Sequence, residues 1–292
     1  MFKGSMVALV TPMAGDGRVD LEALDALVEW HVAEGTDAIV AIGTTGEAST
    51  LEGDEQLEVV ARCVRAAAGR VPVIAGATSN ATAHAVQLSR RAEALGADAV
   101  LSAAPYYNKP GQEGLYRHFC AVAEAVSVPV LLYNVPSRTI TDILPETVER
   151  LAKLPNVVGI KEATGDLKRA ADIQRRCGKD FLLISGDDAT ARECMLQGGR
   201  GVITVTANVA PRLMHEMCMA ALAGDAAKAA ALDGQLAPLH KALFVESNPI
   251  PVKWALAEMR RIPPGIRLPL TPLTVEHQPA VRAALEAARA LA

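Results

Sequence analysis

Between residues 5 and 224 the chain alternates short runs rich in β-branched and other apolar residues with longer segments whose apolar positions recur at helical spacing. This alternation is the mark of repeated βα units. The runs predict strands at 6–10, 38–42, 71–75, 99–103, 129–133, 157–161, 181–185 and 202–205. The segments between and after them predict helices at 21–34, 55–68, 82–95, 112–126, 145–154, 167–177, 189–197 and 211–223. Their ends carry suitable residues: Asp20 can cap the first helix, Gly35 and Gly96 can follow two others, and Pro145 suits a first helical turn.

Eight strands with eight helices favour the α/β class and a closed (β/α)8 TIM barrel, here residues 1–224, over an open doubly wound sheet. The open sheet would need a nucleotide-type turn, and neither G-x-G-x-x-G nor G-x-x-x-x-G-K-[ST] occurs. From residue 225 to 292 strand patterns cease, and helices are expected at 226–243, 251–259 and 275–291, with a Pro-rich connector at 262–272. This C-terminal helical appendage would pack on the barrel or mediate assembly. The 292-residue length suits a barrel of roughly 250 residues with an addition.

Composition sharpens this picture. Half the residues are hydrophobic and only 3% aromatic, so the core is expected to be aliphatic, as suits parallel strands covered on both faces. A net charge of −4 without a lysine-arginine run argues against nucleic acid as a partner. The apolar run M-V-A-L-V is too short for a signal segment, and no stretch approaches the roughly 20 residues of a membrane span, so a cytoplasmic location is expected. The five cysteines, Cys63, Cys120, Cys177, Cys194 and Cys218, form no C-x-x-C pair and read as buried free thiols. The six histidines are dispersed, and His215-Glu216 is followed by Cys218 and Met219 where a second ligand would be wanted, so no metal is expected.

In a barrel of this kind, chemistry belongs at the C-terminal strand ends and the loops beyond them. There the sequence places Gly43-Thr44-Thr45-Gly46-Glu47, Pro105-Tyr106-Tyr107-Asn108, Tyr133-Asn134-Val135-Pro136-Ser137-Arg138, Lys161-Glu162 and Gly186-Asp187-Asp188. Alternation along Val157-Val158-Gly159-Ile160-Lys161 puts Lys161 on the face of Val157 and Gly159, with Gly159 leaving room beside it. In an apolar mouth a lysine is expected to give up its proton readily, which makes its amine a usable nucleophile for a ketone. Most lysines at strand ends instead pack their stems and send their heads to solvent. Tyr133, on the adjacent strand, offers a proton carrier, and equally an amphipathic core residue. Thr44 and Thr45 can receive a small carboxylate or complete a local turn. Arg138 is suited to gripping a carboxylate, though a loop arginine is commonly just a solvated charge. Asp187 and Asp188 read as a helix cap in preference to a magnesium site.

Taken together these segments resemble the dihydrodipicolinate synthase and N-acetylneuraminate lyase superfamily of class I, pyruvate-dependent aldolases. The likeness lies in G-T-T-G-E at Gly43, P-Y-Y-N-K-P at Pro105, Y-N-V-P-S-R-T at Tyr133, G-I-K-E-A at Gly159, G-D-D at Gly186 and N-P-I-P-V-K at Asn248, spread over nearly the whole chain. It is strongest to the dihydrodipicolinate synthase branch. The resemblance implies a condensation of pyruvate with L-aspartate 4-semialdehyde, leading to lysine and diaminopimelate, with no cofactor. It implies that Lys161 forms the pyruvyl imine, that Tyr133, Thr44 and Tyr107 pass protons, that Thr45 holds the pyruvate carboxylate, that Gly186 and Ile203 line the pocket through their backbones, and that Arg138 binds the aldehyde's carboxylate. It further implies that Tyr107 comes from a neighbouring subunit of a tight dimer, usually within a homotetramer.

Lysine-regulated members of the family bind lysine in a cleft whose matching positions here are Ala48, Ser49, Leu51, Gly53, Gln56, Asn80, His84 and Tyr106. Asn80 and Tyr106 fit that pattern. Histidines are expected where Gly53 and Gln56 stand, and a glutamate where His84 stands, so weak or absent feedback by lysine is expected. Two other functions compete with this reading. A sister aldolase acting on a sugar acid, such as N-acetylneuraminate or a 2-keto-3-deoxy acid, would use the same Lys161 and Tyr133, but most such lyases lack an arginine matching Arg138. A silent barrel that binds without catalysis would have no need to keep Lys161, Tyr133, Thr44, Tyr107 and Arg138 together.

Overall fold

The structure, a computed structural model, describes residues 2–290; the predicted end of the last helix, at Leu291, lies outside them. The barrel elements follow in the order β1 (Gly4–Ala8), α1 (Leu21–Ala33), β2 (Ala38–Ala41), α2 (Gly53–Ala67), β3 (Val73–Gly76), α3 (Thr82–Ala94), β4 (Ala99–Ala103), α4 (Gln112–Glu124), β5 (Val130–Asn134), α5 (Pro136–Thr139), α6 (Pro145–Leu151), β6 (Val157–Glu162), α7 (Leu167–Cys177), β7 (Leu182–Ser185), α8 (Ala191–Leu196), β8 (Gly201–Thr204) and α9 (Pro211–Leu222). Then come α10 (Ala226–Ala242), α11 (Ile250–Glu258) and α12 (Gln278–Ala287). The strands form one closed parallel barrel, β1 pairing with both β2 and β8.

Each strand is apolar on both faces because each is covered twice. Met6, Val40, Ile74, Leu101, Leu131, Ile184 and Ile203 fill the interior, while Val7, Ile39, Val73, Val100, Leu132, Leu183 and Val202 meet the helical shell. The local signals hold at the helix ends. The Asp20 side chain accepts from Ala23 N and Pro145 starts α6. Gly35 and Gly96 turn the chain at φ +84 and +88, where a Cβ is strained. Glu52 and Glu55 add a reciprocal capping box on α2. Leu236, Leu239, Val252, Leu256, Val281 and Leu285 of the last three helices join the shell's hydrophobic cluster, so the appendage packs on the barrel.

β4 lies where expected, whereas β1 begins at Gly4 and ends at Ala8. The apolar run continues past the strand because Leu9 and Val10 remain buried after leaving it, and Val10 N donates to the Asn208 side chain. A more consequential correction concerns β6. Val130 pairs with Val157 but Leu131 pairs with Gly159, so Val158 is an extra residue at a bulge. Val157 therefore faces the shell and Val158 the interior. Lys161 still points inward, level with Tyr133 and Ile184. The expected space beside it at Gly159 belongs instead to Leu182, whose carbonyl would lie 2.4 Å from a Cβ added there. Gly186 supplies the room for Lys161, since a Cβ at that position would stand 3.0 Å from both Cγ and Cε of the lysine.

Candidate active site

A cavity of about 230 Å³ opens at the C-terminal ends of the strands, and Lys161, Tyr133, Thr44, Thr45, Arg138, Gly186 and Ile203 all line it. Strand alternation explains the arrangement. Tyr133 and Lys161 point into the barrel from neighbouring strands, and the next residues, Asn134 and Glu162, point the other way. Lys161 Nζ lies 4.4 Å from the centroid of the Tyr133 ring. Both side chains are buried, Lys161 to 7% exposure, which leaves the amine in a small chamber lined by both polar and apolar groups.

Behind the strands a buried polar network fixes the two ends. Glu162 accepts from Asn134 Nδ2 (3.1 Å), from Arg169 Nε (3.0 Å) and from Thr164 N (2.9 Å). Arg169 and Asn134 also bond to Asp142, at 2.8 and 2.9 Å. A carboxylate with this many charge-assisted partners is strongly held, so the register that sets Lys161 against Tyr133 is held as well.

The G-T-T-G-E segment coils tightly after Ile42, with Gly46 N and Glu47 N donating to the carbonyls of Gly43 and Thr44. The N–H groups of Thr44 and Thr45 have no acceptor among the described residues, and such paired donors in a turn suit a small anion. Thr44 is exposed at the mouth, and Thr45 is buried. Thr45 Oγ1 accepts from Asn248 Nδ2 at 3.0 Å, and the Asn248 carbonyl accepts from Arg138 Nη2 at 3.1 Å. One appendage residue thus touches both groups suited to carboxylates. The sequence reading passed over Asn248 as a lining residue although it opens the N-P-I-P-V-K segment, and it passed over Phe244 and Val205 as well. Their place depends on how the appendage and the β8 loop return to the mouth, which no local pattern encodes.

The N-P-I-P-V-K segment is anchored by a second contact. Lys253 is ion-paired with Glu47, and both side chains are buried. Burial pushes the Lys253 ammonium below the usual lysine range, an effect that Glu47 opposes.

Tyr107 stands apart. It is 86% exposed, carries a left-handed φ of 72° and does not line the cavity of this chain. Of the two aspartates expected to cap a helix, Asp187 accepts from Thr190 N (3.0 Å) and Thr190 Oγ1 (2.7 Å) in the turn before α8. Asp188 departs from that expectation. It reaches the loop after β8, accepting from Val205 N, Thr206 N and Thr206 Oγ1.

The residues matched to a regulatory cleft lie outside the cavity, all at least partly exposed except Leu51, which is buried in the hydrophobic core. Ala48 and Ser49 form a tight turn clasped by Gln56, whose Nε2 donates to the Ala48 and Leu51 carbonyls. Asn80 accepts through its carbonyl from Asn108, His84 is exposed beside Ser79, and Tyr106 is partly exposed. Cys63, Cys194 and Cys218 are buried free thiols, while Cys120 and Cys177 are only half-buried. Burial pushes the Cys63 thiol up to about 12 and lowers His31 to about 3.

A model of the dihydrodipicolinate synthetase family matches residues 1–288. The 4-hydroxy-tetrahydrodipicolinate synthase of Pseudomonas aeruginosa is 61% identical over 280 residues, 96% of each chain. A dihydrodipicolinate synthase from Acinetobacter baumannii, described as chloride inhibited and complexed with pyruvate, superposes with a TM-score of 0.98 at 52% identity, covering 99% of both chains. A structure described as the first monomeric dihydrodipicolinate synthase variant superposes with a TM-score of 0.97 at 42% identity, over 99% of this chain and 98% of that one.

Proposed function

This chain belongs to the dihydrodipicolinate synthetase family, and from that membership we propose the following chemistry for its cavity. The enzyme condenses pyruvate with L-aspartate 4-semialdehyde to 4-hydroxy-tetrahydrodipicolinate, on the way to lysine and diaminopimelate. The observation that carries this reading is the buried Lys161 amine against Tyr133, in a cavity that also holds Thr45 and Arg138.

The Lys161 amine attacks the pyruvate ketone, and loss of water from the carbinolamine gives a protonated imine. Tyr133 carries protons in both steps, with Thr44 and Tyr107 extending the relay. The pyruvate carboxylate sits on the Thr44–Thr45 turn, and Gly186 and Ile203 close the wall beside it. The iminium withdraws electrons, so the pyruvate methyl loses a proton and the enamine carbon attacks the aldehyde, whose carboxylate Arg138 grips. The substrate amine then displaces Lys161 and closes the ring. The lysine is the electron sink throughout, so this scheme calls for no other cofactor.

Borohydride reduction with pyruvate, followed by peptide mass spectrometry, tests the reading directly. A pyruvyl adduct on Lys161 is expected, discharged when aspartate semialdehyde is added before reduction. An adduct that the aldehyde leaves untouched would point to a sister aldolase. Arg138→Ala is expected to lower kcat/KM for the aldehyde by on the order of 100-fold, as for loss of a bidentate charged contact, while trapping of pyruvate changes little. Equal loss of both would remove the role given to Arg138.

Tyr107, exposed and outside the cavity, supports a tight dimer in which each subunit completes its neighbour's site, within a dimer of dimers. Mixing Lys161→Ala with Tyr107→Phe subunits under exchange conditions should then restore activity above the sum of the two. Hybrids with no such gain would place Tyr107 outside the relay. We take 225–292 as the unit that finishes the barrel's mouth, and the cytoplasm as its place of work, consistent with the lack, among the described residues, of any helix long and apolar enough to cross a membrane. The cleft around His84 carries no matching carboxylate for a ligand amine, so half-inhibition by lysine in the micromolar range is not expected.

A further inference from the structure

His240 of α10 is buried beside the segment that follows β8, and the mechanism gives it no part. Its Nδ1 lies 2.9 Å from Thr206 Oγ1, and that hydroxyl lies 2.8 Å from Asp188 Oδ2. Counting protons fixes the direction of both bonds. An ionised carboxylate only accepts, so the single hydroxyl proton goes to Asp188, and Thr206 Oγ1 is left to accept from Nδ1–H. The ring is steadied from its other side by Asp233, about two helical turns earlier on α10. Nε2 lies 3.4 Å from Asp233 Oδ1, and Asp233 Oδ2 accepts from Arg192 Nε at 3.1 Å.

These contacts matter because of what Asp188 joins. It belongs to the segment after β7, and its Oδ2 also accepts from Val205 N and Thr206 N, at 3.1 and 2.8 Å, in the segment after β8. Gly186 on the first segment, and Ile203 and Val205 on the second side, all line the cavity. The far end of the β8 loop is fixed separately, since Asn208 accepts from Val10 N and donates to the Ala8 carbonyl. Its near end has Asp188 as its brace. A linked set of bonds holds more firmly when each donor is aimed by the next group along. We propose that His240 is a positioning residue for pyruvate: its Nδ1–H keeps the Thr206 hydroxyl aimed at Asp188, and so holds the Gly186 and Ile203–Val205 walls at the separation that suits the keto acid. This rests on the pyruvate reading given above.

Two substitutions in the full-length enzyme separate the donor from the bulk of the ring. Asparagine carries its amide nitrogen close to where Nδ1 stands, and glutamine close to where Nε2 stands. His240→Gln is expected to raise both the KM for pyruvate and the pyruvate concentration for half-maximal borohydride trapping on Lys161. The rise should be roughly 5- to 10-fold, as for loss of one buried hydrogen bond, with kcat within about threefold of the parent. His240→Asn should stay within about twofold of the parent in each respect. In the parent, nitrogen NMR of ring-labelled histidine in mildly alkaline buffer should show a proton on His240 Nδ1, the signal being assigned by its loss in His240→Asn. A bare Nδ1 would overturn the proposal whether or not the variants fold. Equal weakening of pyruvate in both variants would do so in favour of a packing role, and so would an unchanged His240→Gln or a fall in kcat alone. A parent enzyme that traps no pyruvate, with Nδ1 still carrying its proton, would remove the pyruvate reading and the role of the brace with it.

Discussion

Lys161→Ala is expected to lower turnover by on the order of 10⁴-fold or more and to abolish borohydride-dependent incorporation of pyruvate, since no other lysine lines the cavity among the described residues. The fold should survive. The substitution shortens a side chain facing an open cavity, and it leaves the ladder between β5, β6 and β7 and the Glu162 network untouched. Far-ultraviolet circular dichroism and the unfolding midpoint should therefore match the parent closely. Retained turnover within tenfold of the parent would sink the Schiff-base mechanism outright.

Lys253→Met should have the largest effect on stability. The ammonium it removes is ion-paired with Glu47 where both side chains are buried, at 3% and 0% exposure. Glu47 would be left as a carboxylate in a dry site with only Arg267 N, at 3.2 Å, as a remaining donor to its Oε2. Breaking one side of such a pair typically costs about 3–5 kcal/mol, whereas replacing both sides with uncharged residues of similar size is far milder. The Glu47→Gln, Lys253→Met double variant should thus recover most of the loss in denaturant unfolding or thermal inactivation. A single variant within about 1 kcal/mol of the parent, or a double variant worse than the single, would contradict the assignment. Because Glu47 ends the G-T-T-G-E segment, the single variant should also weaken retention of pyruvate.

Much of this was legible in the sequence because each barrel layer repeats its cause. Apolar runs such as Val100–Leu101 mark strands covered on both faces, and Asp20, Gly35 and Pro145 act over distances of a few residues. Lys161, Tyr133 and Arg138 were legible because strand ends in a barrel converge. What failed was whatever depended on a partner far along the chain. The Val158 bulge is a mismatch between two strands, invisible in either alone. The room expected beside Lys161 at Gly159 lies instead at Gly186, because the neighbours that fill each space, Leu182 and Lys161, are set by register. Asp188 left its helix for the β8 loop, where three donors outbid a local cap. Asn248 opens the N-P-I-P-V-K segment, but nothing in that segment tells that it meets Thr45, some 200 residues away.

The return of the appendage to the mouth bears on how the protein is made. Synthesis runs from the N-terminus and domains tend to fold as they emerge, so strands β1 to β8 and Lys161 leave the ribosome before Asn248 and Lys253 do. A nascent chain whose eight strands have emerged still lacks the amide that orients Thr45 and the ammonium that steadies Glu47. Competence for chemistry therefore arrives late in translation, after the lysine is already in place, and ribosome-bound chains whose residues up to 240 have left the exit tunnel should capture pyruvate poorly.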